Sequence, residues 1–196
     1  MSTKVSVGHA KAGDGATQGR TAAEEALAGL EGAPPLFGIA FATSKVDLSA
    51  LANAIKDVVG DAPVLGCSTA GEFVGDRISA GGTAVCLVSS DEMGISIGIT
   101  EGLKANTARA ARRMARQLQE GRRSAPAGAT SRTIFLLSDG MAGSGEVMVD
   151  TLAMESGAEV AIAGGAAGDD AAFVKSHVFL DREVKQDAIV AIEISS

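Results

Sequence analysis

The chain has 196 residues, of which 46% are apolar, and its formal net charge at pH 7 is −7. This length fits one domain or two closely associated halves, with enough apolar residues to build a sizeable core. Nucleic-acid binding needs a positive field and often uses aromatic stacking faces, so the negative charge and the 3% aromatic content argue against a nucleic-acid partner.

The N-terminal segment has no apolar stretch of signal-peptide length, and no run in the chain is long enough to cross a membrane. We therefore expect a cytoplasmic protein with no membrane partner. Residues 3–8 alternate as a strand does, and Thr21 and Glu24 form a capping box that predicts a helix over 21–30. Gly13 and Gly15 precede this helix, but the third glycine of a dinucleotide-binding fingerprint is missing, so no cofactor is expected.

The remainder of the chain shows the same order of elements twice, β-α-β-β-β, over halves at about 36–100 and 133–195. Apolar periodicity predicts a helix in each half, at 47–59 with Asp47 as its cap and at 144–156. Strand-like runs accompany them at 36–41, 63–68, 83–89, 94–100, 134–137, 174–180 and 186–194, with a hairpin turn at 90–92. We predict a single domain, residues 1–196, of the α/β class bordering on α+β, in which helices cover mixed β-sheets.

Residues 105–120, between the two halves, predict a further helix with one apolar and one arginine-rich face. The arginines are Arg109, Arg112, Arg113 and Arg116. A charged helix face is usually a solvated one, and we interpret this face in that way. A protein-interaction module that binds an acidic partner through this helix is the alternative.

Two similar Gly/Ala-rich turns indicate an internal duplication. Each follows a strand and ends on an acid, and Gly168 in the second turn lies 97 residues after Gly71 in the first. Small residues let the main chain approach a neighbour or a ligand closely. We therefore expect equivalent loops that face one ligand site, with these candidate residues: Cys67, Ser68, Thr69, Ala70, Gly71 and Glu72, and Gly165, Ala167, Gly168, Asp169 and Asp170.

A third turn, from Ser138, Asp139 and Gly140 to Gly145, leaves a buried strand and opens a helix that Ser144 can cap. Free N–H groups at a helix start favour an anion such as a carboxylate, while the acids of the three turns would meet an ammonium group. The predicted ligand is thus small and zwitterionic or anionic. Turn acids also commonly bond their own main chain, and with no His or Cys at ligand spacing no metal is expected.

The segment around Cys67 and Ser68 has some likeness to a nucleophile elbow, so a hydrolase-like enzyme is a second alternative. An elbow leads directly into a helix, whereas a Gly-rich loop and further strands follow here. A hydrolase would also need a histidine base, and only His9 and His177 exist. We assign no catalytic residues, and we predict that Cys67 is a packed thiol with low reactivity.

Three segments resemble the FIST family of intracellular signal-transduction sensory domains, in its N-terminal region. They are Val64–Glu72, Phe135–Gly140 with its Gly-rich helix start, and Ala163–Asp170 followed by strands. Their order and spacing cover about residues 4–194. The resemblance implies small-molecule sensing, with amino acids among the proposed ligands. It also implies a C-terminal FIST region or a signalling output domain as a partner.

Overall fold

The computed structural model describes residues 3–75, 77–122, 129–157 and 159–196. Over these residues the chain forms helices α1 (Gly15–Gly29), α2 (Leu48–Val59), α3 (Leu103–Gly121) and α4 (Gly145–Ser156). The strands are β1 (Thr3–Ala10), β2 (Phe37–Thr43), β3 (Val64–Thr69), β4 (Glu72–Val74), β5 (Arg77–Ser79), β6 (Thr83–Ser90), β7 (Gly94–Glu101), β8 (Arg132–Ser138), β9 (Val160–Ala166), β10 (Val178–Leu180), β11 (Glu183–Lys185) and β12 (Ala188–Ser195).

Two mixed sheets pack face to face, and helices cover their outer faces. The first sheet has the order β1-β6-β2-β3-β10-β11, the second has the order β7-β12-β8-β9, and β4 and β5 form a separate two-stranded ribbon. Helices α1 and α2 share one apolar core with the first sheet, and α3 and α4 share another with the second. A third core lies between the sheets. The predicted class, helices on mixed sheets, is confirmed.

The helix caps show how local sequence positions these elements. The Asp47 side chain accepts from the N–H groups at the start of α2, and Ser144 accepts from Val147 at the start of α4, both as predicted. Helix α1 begins before residue 21 because Asp14, and not Thr21, caps it by accepting from Thr17 N at 2.8 Å. Among the described residues, no helix is both long and apolar enough to span a bilayer.

Two of the predicted strand arrangements are wrong. The hairpin at 90–92 does not form because β6 lies between β1 and β2, whereas β7 pairs with β12 in the other sheet. The strand predicted from residue 174 begins only at Val178. The reason is the Asp169 carboxylate, which accepts hydrogen bonds from the main-chain N–H groups of Phe173, Val174 and Lys175 and so holds them in a loop.

The two sheets share one arrangement of four strands. In β1-β6-β2-β3 and in β7-β12-β8-β9 the first two pairings are antiparallel and the last is parallel. The helix ends correspond as well, since Gly29 of α1 approaches the Ser6 side chain as Gly121 of α3 approaches Ser96. In this correspondence β7 occupies the position in the second sheet that β1 occupies in the first, whereas the predicted halves group β7 with the first. The internal duplication stays a prediction.

Candidate functional site

The carboxyl ends of β3, β8 and β9 bring the three predicted turns together. Gly168 N donates to Ser68 O at 2.8 Å, and Ala167 N donates to Ser138 O at 2.7 Å. A Cβ at Gly168 would lie only 2.9 Å from the main-chain nitrogen of Ala70, so this close approach of the two turns favours a glycine. The predicted loops therefore converge at one end of the two sheets.

A pocket of about 350 Å³ lies between the sheets beside these loops, and we call it the inter-sheet pocket. It contains six of the predicted residues and is lined by Phe41, Cys67, Ser68, Thr69, Ala70, Phe135, Leu137, Gly164, Gly165, Ala166 and Gly168. None of the lining side chains is charged. Phe41, Phe135 and Leu137 were not predicted, although the alternation of inward-facing residues along a strand offers a signal for them once the strands are paired.

The other predicted residues lie around this pocket. Ser138 lines a second pocket of about 390 Å³ between α4 and β9, the α4–β9 pocket, together with Leu136, Gly145, Met148, Val149, Ile162, Ala163, Gly164, Gly165 and Ala166. Gly71 and Glu72 border a neighbouring groove beside Phe73. Ala167 belongs to the core between the sheets, and Gly140 fits closely against its carbonyl oxygen.

Asp139 and Glu72 use their carboxylate oxygens within the protein. Asp139 is 2% exposed; its Oδ1 accepts from Ser176 Oγ and Met141 N, and its Oδ2 accepts from Asp187 N. Burial by itself raises the pKa of Asp139, but these hydrogen bonds outweigh it and hold the pKa below its ordinary value. Glu72, also buried, accepts from the side chains of Thr69 and Ser79 and from Gly82 N.

Asp169 and Asp170, in the turn after β9, also stabilise loops. Hydrogen bonds from Val174 and Phe173 N–H groups lower the pKa of Asp169. Burial raises the pKa of Asp170, and hydrogen bonds from Thr43 and Ser44 bring it below the usual value. Within the described parts of the chain, no group of three or more His, Cys, Asp or Glu side chains is placed to hold a metal ion.

The turn at 138–145 likewise uses most of its donors internally. Gly140 N donates to Ser176 Oγ at 2.9 Å, Met141 N to Asp139 Oδ1, and Ser144 N to Thr107 Oγ1. These three N–H groups are therefore not available to the expected carboxylate site, which would depend on those of Gly145 and Glu146 in the first turn of α4.

The arrangement around Cys67 and Ser68 does not activate either residue as a nucleophile. The Ser68 hydroxyl is fully buried, donates to Gly168 O at 2.6 Å and accepts from His177 N at 2.9 Å. The His177 ring instead lies against Gln186 Nε2 at 2.9 Å. Desolvation by burial raises the pKa of the Cys67 thiol to about 12.

Cys67 should therefore react very slowly with an alkylating agent in the folded protein. A pKa of about 12 instead of 9.0 makes the thiolate fraction at neutral pH about a thousand-fold smaller. We expect iodoacetamide at pH 7.5 to modify Cys86, which is only half-buried, before Cys67. Mass spectrometry of wild type, Cys67→Ala and Cys86→Ala measures both rates, and fast stoichiometric labelling of Cys67 would instead support the hydrolase alternative.

Comparison with known proteins gives one family match. The family model of the FIST N domain matches residues 36–196. A search of curated proteins finds no match. Among solved structures, a cyanuric acid hydrolase superposes with a TM-score of 0.49 and 9% identity, over 100% of this chain and 68% of the other. A cyanuric acid hydrolase from A. caulinodans superposes with a TM-score of 0.43 and 11% identity, over 98% and 70%.

Proposed function

The chain belongs to the FIST N domain family, a family of signal-transduction sensory domains, and we propose that it senses a small molecule bound in the inter-sheet pocket. The observation that carries this proposal is the convergence of the turns after β3 and β9 on one pocket. Its volume of about 350 Å³ lies in the range of small-ligand sites. Ligand contacts to both turns would couple the two sheets and pass the signal to an output partner.

The lining determines the kind of ligand. Apolar side chains from Phe41, Phe135 and Leu137 face the pocket without a charged partner among the lining residues. Polar contacts would come from main-chain groups of the lining residues, because none of their side chains is charged. We propose a small, mostly apolar ligand with few polar atoms. Among amino acids, this favours one with an apolar side chain.

Filling the pocket should weaken ligand binding without harming the fold. Nothing lies within 4 Å of a Cβ built on Gly165, which lines the pocket, so Gly165→Leu places its side chain in open space. We expect a thermal-shift screen of the twenty amino acids and small neutral metabolites to find a stabilising compound. Calorimetry should then show an affinity at least about ten-fold weaker for Gly165→Leu, equivalent to about 1.4 kcal/mol.

The matched control is Ala161→Leu, an exposed position on the same strand that points to the same side as Gly165 but lies outside the pocket. It should bind the compound as wild type does. A screen without any stabilising compound, or equal binding by wild type and Gly165→Leu, would contradict the proposed site.

A further inference from the structure

The ribbon β10–β11 completes the first sheet, and it does so from the second half of the chain. β10 pairs antiparallel with β3, and Phe179 lies opposite Gly66. A Cβ on Gly66 would collide with the Phe179 ring, so the glycine admits this side chain. Phe179 is 0% exposed and joins the core formed with α1 and α2.

The first half has a corresponding ribbon, β4–β5, but its phenylalanine, Phe73, is exposed and not packed against a sheet. Both ribbons follow the parallel strand of their half. Phe73 pairs across its ribbon with Ile78 as Phe179 pairs with Val184. Yet Phe73 is 78% exposed and Ile78 is 84% exposed, and in the described residues β4 and β5 pair only with each other.

Strand β9 of the second half corresponds to β3, the strand that receives the ribbon in the first sheet. Among the described residues β9 pairs on one side only, with β8. The ladder registers match Gly164 to Gly66, and a Cβ on either glycine would meet the carbonyl oxygen of the adjacent strand, Leu136 or Ala40. Strand β9 is the edge of its sheet. A strand edge with apolar residues is a template for pairing with another chain.

The α4–β9 pocket corresponds to the space between α2 and β3 that the Phe179 side chain occupies in the first sheet. Val149 follows its helix cap Ser144 by five residues, as Ala52 follows Asp47. Ala52 is buried under the completed sheet, whereas Val149 is 40% exposed and lines the empty pocket. The pocket volume of about 390 Å³ is large enough to accept a phenylalanine side chain.

We propose that the β4–β5 ribbon of a second copy of this chain pairs with β9 and inserts its Phe73 into the α4–β9 pocket. Within the chain, the β10–β11 ribbon of the second half pairs with the sheet of the first half. In the described residues no ribbon pairs with the second sheet in return, so this contact is head-to-tail. One chain thus carries both an unused ribbon and an unused receiving edge. Two copies satisfy both by exchanging ribbons, which gives a closed symmetric dimer.

Sedimentation equilibrium and light scattering test this assembly. Wild type should form a dimer, and Phe73→Ala on the ribbon and Val149→Arg in the pocket should each weaken dimerisation at least about ten-fold. Phe173→Ala is the matched control, since Phe173 is 77% exposed but belongs to neither the ribbon nor the pocket. It should dimerise as wild type does, and circular dichroism should show all four proteins folded.

Mixing the two defective variants gives a sharper test. A heterodimer of Phe73→Ala and Val149→Arg contains one intact contact, because the ribbon of the Val149→Arg chain meets the pocket of the Phe73→Ala chain. We expect this mixture to dimerise more strongly than either variant alone. A monomeric wild type, an equal effect of Phe173→Ala, or a mixture no stronger than its components would overturn the proposal. The assembly is measured without ligand, so its failure is distinguishable from a failure of ligand binding in the inter-sheet pocket.

Discussion

Asp139→Asn should lower the free energy of unfolding by about 3 kcal/mol, because this buried carboxylate accepts three hydrogen bonds from separate segments. An asparagine can keep the bonds from Ser176 and Met141 through its oxygen. Its NH₂ group would then face the N–H of Asp187, which now donates to Oδ2 at 2.6 Å, so a buried donor loses its acceptor. Urea denaturation measures the loss.

The prediction that Asp139 binds a ligand at a solvent-accessible site leads to a different result, since its substitution there would barely alter folding. Asp150→Asn, an exposed position on α4, is the control and should change the stability by less than about 0.5 kcal/mol. If Asp139→Asn were as stable as the control, the hydrogen bonds of Asp139 would not stabilise the fold.

The stabilisation by the Asp139 carboxylate should depend on pH. The folded pKa of Asp139 is below 3.8, so its stabilisation is complete above that pH and is lost as the pH falls through the folded pKa. The stability difference between wild type and Asp139→Asn should therefore be largest near neutral pH and shrink below about pH 3.8. A difference that stays constant well below pH 3.8 would contradict a charged Asp139.

Glu193→Ala should destabilise the protein by about 3 kcal/mol, the lower end of the range for breaking a buried ion pair. The Glu193 side chain is 1% exposed and accepts from Arg122 at 2.6 Å and from Arg132 at 2.9 Å. These arginines lie beyond the end of α3 and at the start of β8, so the carboxylate joins both to β12. The side chains of Arg122 and Arg132 are 29% and 28% exposed, so water can solvate both arginines in Glu193→Ala. This solvation limits the loss of stability.

The ion pair of Arg112 with Glu155 supplies the comparison for Glu193. It joins α3 to α4 at 3.3 Å between side chains that are 53% and 44% exposed. Glu155→Ala should cost less than about 1 kcal/mol, because water screens the pair. Burial raises the pKa of Glu193, but the two arginines bring it below its ordinary value, so this stabilisation too is lost at acid pH. Chemical denaturation of both variants tests the contrast, and equal losses would contradict it.

Much of the local structure follows from residues close together in the chain. Helix α2 forms within one residue of its predicted bounds, because an apolar stripe and the Asp47 cap act within a few turns. Helix α1 began earlier than predicted because Asp14 is an equally good cap and the glycines after it did not prevent a helix. The choice between two caps depends on packing, since Gly15 and Gly19 lie close against the main chain of Asp47 and Leu51.

Composition and the order of elements predicted the mixed α/β class, and the resemblance of three segments indicated the family. The sequence also predicted the turns after β3 and β9, whose residues line the inter-sheet pocket. Only the tertiary structure decided which sheet each strand joins, since strand pairing depends on partners far along the chain and not on local pattern. It placed β7 in the second sheet, and among the described residues it left β9 at the edge of its sheet and β4–β5 as a separate ribbon. It also decided the chemistry of the acids, because a turn carboxylate binds a ligand only if its oxygens are free, and those of Asp139 and Glu72 accept hydrogen bonds from residues that folding brings to them.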